Sequence, residues 1–264
     1  MKVKVTVVIP ARYASTRFPG KPLALISGKP MVQHVYERSS QATLVDDVFI
    51  ATEDSRIEEA VRSFGGRVVM TSSRHQSGTD RMAEVAQNVS SDIFINVQGD
   101  EPLISPALID QVASVLINSE PAKMSTAQIA FKNKEDFLNP NVVKVLCDQE
   151  GTALYFSRSP IPFQRRTWRE NPQWPYFYEA HSLEKIQQSG VHKHLGIYGF
   201  KRQALLDFAR WMPTALEKEE ELEQLRALEH GMRIKVVTTQ HESWAVDTPD
   251  DLKKINELFS SKTS

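Results

Sequence analysis

Two rhythms of apolar and polar positions run through this chain. "VKVTVVI" (3–9) is a β-branched run closed by Pro10, the pattern of a buried strand. "DVFIA" (47–51), "RVVM" (67–70) and "IFINV" (93–97) repeat that signal. Between them the period lengthens to that of a helix. Pro30 fits the first turn of a helix whose apolar positions are Met31, Val32, Val35 and Tyr36. Asp54 is placed to cap a helix carrying Ile57, Ala60, Val61 and Phe64, which Gly65-Gly66 should stop. Met82, Val85, Ala86 and Val89 form another apolar face, and Ser105-Pro106 starts a helix with Leu108, Ile109, Val112, Val115 and Leu116. Such alternation predicts an α/β fold: a mostly parallel, mixed sheet with helices on both faces.

The middle of the chain changes character. "MSTAQIA", "VVKVLC" and "ALYFS" read as strands with little helix between them, which predicts an antiparallel excursion. Residues 163–192 mix Trp, Pro, Tyr and charge without a clean period, as an insertion, a dimerisation arm or a lid would. The expected organisation is one domain over 1–264 with an embedded β-rich subdomain at about 131–195. The chain then returns through "LGIYGF", one helix over "LEKEEELEQLRALEHG", the strand "IKVVT", and a last helix after Asp247-Thr248-Pro249.

Composition narrows the function classes. A formal net charge of -1 gives no global attraction to nucleic acid or an anionic membrane, so any cationic site must be local. No apolar run is long enough to span a bilayer. The lone cysteine, Cys147, rules out an intramolecular disulfide, fits the cytosol, and reads as an inert thiol on a strand.

Polar residues follow the strands. Arg12, Arg17 and Lys21 follow the first, Thr52 to Asp54 the second, Gln98 to Glu101 the fourth, and Asp247 follows "WAV". In an open α/β sheet, ligand sites lie at the carboxyl ends of strands, so these groups should share one rim. Asp54 is better explained as a helix cap. Asp247 is open to either reading, because Thr248 can cap. Asp100 and Asp247 are the two candidates for metal, since carboxylate oxygen suits Mg²⁺. Zinc-type spacing, a Walker A loop and a GxGxxG turn after the first strand are all missing. An anion site here must instead combine separated Arg and Lys side chains with backbone N–H groups of a tight loop.

"PARYASTRFPGKP", "HQSGTDR", "NVQGDEP", "ALYFSR", "HLGIYGF", "LEQLR" and "VDTPDDL" occur in this order from Val7 to Leu252. In that order the chain resembles the 3-deoxy-manno-octulosonate (Kdo) cytidylyltransferases. Tyr13, Thr16, Arg17 and Pro22 favour this branch over the related sialate enzymes. The resemblance implies a Rossmann-like nucleotidyltransferase fold and a cytoplasmic homodimer. It also implies the reaction of CTP with Kdo to give CMP-Kdo and pyrophosphate, with Mg²⁺, for lipopolysaccharide biosynthesis. Another acid sugar, 8-amino-Kdo or sialate, and a catalytically silent nucleotide-binding regulator are the alternatives.

On that reading Arg12, Ser15, Arg17 and Lys21 meet the triphosphate, with Asp100 and Asp247 holding the metal. Ser77, Gly78, Thr79 and Arg81 would read the cytosine, although Ser77 or Thr79 serves equally well as a helix cap. Gln98, Arg158, His194, Tyr198, Glu223 and Gln224 are implied for the sugar. In isolation, His194 would be a structural histidine and Glu223-Gln224 part of an ordinary amphipathic helix. Glu53 and Phe200 depart from the family pattern, which usually has Asp and Tyr there.

Overall fold

The strand expected over 3–9 is β1 (Val5–Pro10), which sits in the interior of the sheet, hydrogen-bonded on both edges. A computed structural model describes residues 2–14, 18–170, 182–242 and 244–261. After β1 come a 3₁₀ turn (Lys21–Leu23), the short ribbon β2 (Leu25–Ile26) and β3 (Lys29–Pro30), and α1 (Met31–Ser39). β4 (Asp47–Thr52), α2 (Ser55–Ser63), β5 (Val68–Met70), α3 (Gly78–Asn88), β6 (Ile93–Asn96) and α4 (Pro106–Asn118) continue the alternation. Asp54 caps α2 by accepting from the Arg56 N–H, and Pro30 is the N-cap of α1.

The middle contains β7 (Met124–Ile129), α5 (Lys134–Leu138), β8 (Lys144–Cys147), β9 (Ala153–Ser157), α6 (Arg165–Glu170) and α7 (Leu183–Gln188). Part of the 163–192 segment, residues 171–181, lies outside the described residues. The rest is β10 (His192–Lys201), α8 (Arg202–Phe208), α9 (Ala215–Glu220), α10 (Gln224–Glu229), β11 (Ile234–Thr238) and α11 (Pro249–Ser261).

The main sheet runs β11-β7-β10-β6-β1-β4-β5. β10 is antiparallel to both β6 and β7, so it alone opposes the other strands of this path. β8 pairs with β10 and β9 in the antiparallel excursion. Side-chain alternation divides the core. Val5, Val7 and Ile9 face the layer of α1, α2 and α4, whereas Val8 and Phe94 face α3, α8 and α10. Two smaller clusters have positional consequences. Phe131, Phe137, Ile186 and Val191 knit α5 and α7 beside the excursion. Ile26, Met31, Val246 and Ile255 bind α11 to the β2–β3 ribbon.

One expectation fails. The single helix over "LEKEEELEQLRALEHG" is two helices, broken at Glu221, which has φ 51° and ψ 46°. The Leu222 N–H returns to the Glu217 carbonyl at 3.1 Å, a six-to-one bond that ends α9. Phe200 is a core residue, packed on Phe208 at 5.5 Å, so the hydroxyl it lacks is missing from the interior.

Candidate active site

The carboxyl ends of β1 and β6 meet across a close backbone contact. A Cβ on Gly99 would lie 2.8 Å from the Pro10 carbonyl oxygen, so only glycine lets the loop after β6 cross the end of β1. The resulting cavity of about 410 Å³ is lined by Arg12, Lys21, Gly78, Gln98 and Asp100, together with Pro10, Ala11, Ala14, Pro22 and Gly99. Five residues expected from the sequence therefore share one wall. Ser15 and Arg17 lie outside the described residues.

Each charged group is aimed by its backbone. Gly20 (φ 71°) makes the left-handed turn that opens the 3₁₀ segment and projects Lys21 inward. The Lys21 Nζ donates to Asp100 Oδ2 at 2.6 Å and to Asp247 Oδ1 at 3.3 Å. The aspartates come together because the Val246 N–H donates to the Asp100 carbonyl at 2.9 Å. The ambiguity at Asp247 is resolved at the start of α11. Thr248 and Asp251 bond reciprocally there: the Asp251 N–H donates to Thr248 Oγ1, and the Thr248 N–H donates to the Asp251 carboxylate. Beside that exchange, the Asp247 carboxylate accepts from Lys21. Arg12 donates through Nη2 to the His75 carbonyl at 2.9 Å, which ties the first loop to "HQSGTDR".

Two carboxylate oxygens converging on one ammonium also fit a hard divalent ion. Mg²⁺ is typically held by one or two protein carboxylates plus phosphate oxygens. Among the described residues no cluster of three or more His, Cys, Asp or Glu side chains could form an all-protein cage. An ion here would therefore need the substrate's own oxygens.

"HQSGTDR" divides its duties. Ser77 caps α3 in a full capping box with Asp80. Thr79 gives its hydroxyl to Glu223 Oε2 at 2.7 Å. Arg81 is 1% exposed, ion-paired to Glu53 at 2.5 Å and bonded to Thr71. Its guanidinium supports the ends of β4 and β5, and the departure at Glu53 is that partner.

The residues implied for the sugar form a second, adjoining cluster. Tyr198 donates to Gln224 Oε1 at 3.0 Å, and His194 lies 5.5 Å from Tyr198, ring to ring. Burial raises the Glu223 carboxyl despite its bonds to Ser77 and Thr79, and pushes the Tyr198 phenol up. Glu223 Oε1 and Gln224 Nε2 are buried without hydrogen-bond partners. Such atoms are costly unless a ligand satisfies them. Asn96, 1% exposed, adds a third, its Oδ1. Sequence reasoning missed Asn96, although a polar residue ending the run "IFIN" was the available signal.

Arg158 is placed differently. Its Nε, Nη1 and Nη2 donate to the carbonyls of Glu220, Pro140 and Glu221, and its backbone N–H to the Glu220 carboxylate. The guanidinium thus holds the turn between α9 and α10. Cys147 donates to Gln128 Oε1, and burial pushes its thiol up to about 11, which keeps it unreactive.

The sequence matches the cytidylyltransferase family over residues 6–234. It is 55% identical over 258 residues to the 3-deoxy-manno-octulosonate cytidylyltransferase of Geobacter metallireducens, covering 98% of each chain. It is 56% identical to the protein of the same name from Geotalea daltonii, covering 98% of this chain and all of that one. A solved structure of CMP:2-keto-3-deoxy-manno-octonic acid synthetase complexed with CTP matches with a TM-score of 0.87 at 39% identity, over 98% of this chain and 99% of that one. The fold extends to 4-diphosphocytidyl-2C-methyl-D-erythritol synthase of Anaerococcus prevotii, with a TM-score of 0.61 at 11% identity, over 98% of this chain and 100% of that one.

Proposed function

The chain belongs to the 3-deoxy-manno-octulosonate cytidylyltransferase family, and from that membership we infer that it transfers CMP from CTP to the anomeric hydroxyl of Kdo, releasing pyrophosphate. The observation that carries the mechanistic reading is the Lys21 ammonium set between Asp100 and Asp247 at the mouth of the cavity that Arg12 lines. Transfer at a phosphorus atom asks a protein mainly to neutralise spreading charge and to hold the attacking and leaving oxygens in line. Arg12 and Lys21 neutralise the phosphates that leave, with Ser15 and Arg17 assigned to the same role from the sequence. Gln98 and the buried atoms of Glu223, Gln224 and Asn96 that lack hydrogen-bond partners orient the sugar.

Asp100 and Asp247 would hold Mg²⁺, which when bound offsets phosphate charge and makes the sugar hydroxyl more acidic. The Thr79–Glu223 bond joins the start of α3 to the sugar cluster, so the two substrates are read by elements in direct contact. A cytoplasmic homodimer belongs to the same reading. The apolar Leu154, 62% exposed on β9, is compatible with a partner subunit.

Pyrophosphate release from CTP across a panel of acid sugars, with and without Mg²⁺, tests this function. Turnover should require Kdo and the metal, and Asp100→Asn and Asp247→Asn should each lose about a thousandfold or more in kcat while remaining folded. Near-native turnover by either variant removes that aspartate from the chemistry.

A further inference from the structure

His194 and Thr126 occupy neighbouring strands at an irregularity. The β7–β10 register shifts between Leu195 and Tyr198, and this bulge turns two β10 carbonyls onto Thr126. The fully buried Thr126 Oγ1 lies 2.8 Å from the Ile197 carbonyl oxygen, 3.2 Å from that of Leu195 and 2.9 Å from His194 Nε2. A hydroxyl has one proton, and carbonyls only accept. If Thr126 spent that proton on the imidazole, two carbonyl oxygens would face its lone pairs in a dry interior. The proton therefore goes to the Ile197 carbonyl, and the His194 Nε2–H donates to Thr126.

A neutral imidazole carries one N–H, so Nδ1 is left with a bare lone pair. The surroundings keep the ring neutral. Phe156 packs edge-on at 4.9 Å, and burial pushes the imidazole down to about 3. Among the described residues Nδ1 has no hydrogen-bond partner, while Tyr198 stands beside the ring and joins it to the sugar cluster through its bond to Gln224, whose Nε2 has no hydrogen-bond partner.

We propose that Thr126 is a positioning residue that locks His194 as the Nε2–H tautomer, so that His194 meets the sugar acid through Nδ1, accepting from a hydroxyl rather than donating to the carboxylate. This rests on the reading of His194 as a sugar ligand and specifies what it recognises. A histidine placed for the carboxylate would need a proton on the facing nitrogen.

Long-range nitrogen–proton NMR on the full chain at neutral pH, with the His194 signals identified by their loss in His194→Gln, reports the tautomer directly. The expected pattern is a protonated Nε2 and an unprotonated Nδ1. Thr126→Val should mix the tautomers and raise KM for Kdo about tenfold with KM for CTP unchanged, and Thr126→Ser should restore both. An Nδ1–H tautomer in the unaltered protein, or a native KM for Kdo in Thr126→Val, overturns the proposal. Equal rises in both KM values would assign Thr126 to general structure and overturn it too. Should the valine variant not fold, the tautomer of the unaltered protein and the kinetics of Thr126→Ser decide. Absence of any turnover with CTP and Kdo would instead overturn the functional reading, because the ring signals are measured without substrate.

Discussion

Arg81 shows how burial reassigns a side chain. A cation beside the nucleotide loop is the natural candidate to read a base edge, yet its Nη1 and Nη2 are bonded to Thr71 and Glu53 inside the protein. Removing one partner of a buried ion pair leaves the other desolvated and uncompensated. Arg81→Ala should therefore lower the free energy of unfolding by about 3 kcal/mol, discounted from the fully buried case because Glu53 is partly exposed. Urea unfolding measures that loss. The preference for CTP over UTP in the folded fraction should be unchanged, and a lost preference would return Arg81 to the base-reading role. Lys21 is the opposite case: its surroundings are polar, half-open and carboxylate-rich, so its charge faces the cavity.

At the level of elements, the turn between α9 and α10 decides where the sugar cluster points. Glu221 adopts a left-handed conformation that side chains with a Cβ enter at a cost, and Arg158 holds it there through the Glu220 and Glu221 carbonyls. Glu221→Gly should relieve that cost and raise stability by up to about 1 kcal/mol, with KM for Kdo unchanged. A loss of stability on urea unfolding would mean that the Glu221 side chain, rather than its backbone, shapes the turn. This break was illegible in the sequence, because no glycine or proline marks position 221 and Leu222, Leu225 and Leu228 keep a helical period directly after it. The parallel strands and their helices were legible because each was announced twice, by an apolar run and by a cap or glycine at its end. The role of Arg158 was not. Its partners are carbonyls at 140, 220 and 221, and backbone oxygens carry no side-chain identity that a sequence could reveal.

The whole molecule gathers its chemistry where the strand ends converge. The loop after β1 supplies Arg12, the 3₁₀ turn supplies Lys21, the loop after β6 supplies Gln98 and Asp100, and the segment entering α11 supplies Asp247. The first and last of these are over 200 residues apart in the chain, and the Val246–Asp100 backbone bond and the small core under α11 bring them together. A shared rim was readable from polar residues following apolar strands, whereas the lysine bridge between two aspartates needed the fold. If that bridge marks a divalent-ion site, metal binding must depend on both carboxylates, whatever happens to turnover. Mn²⁺ binding followed by EPR in the presence of CTP measures this directly. The unaltered chain should bind Mn²⁺ at least about tenfold more tightly than either Asp100→Asn or Asp247→Asn. Equal affinity in all three proteins would contradict the account.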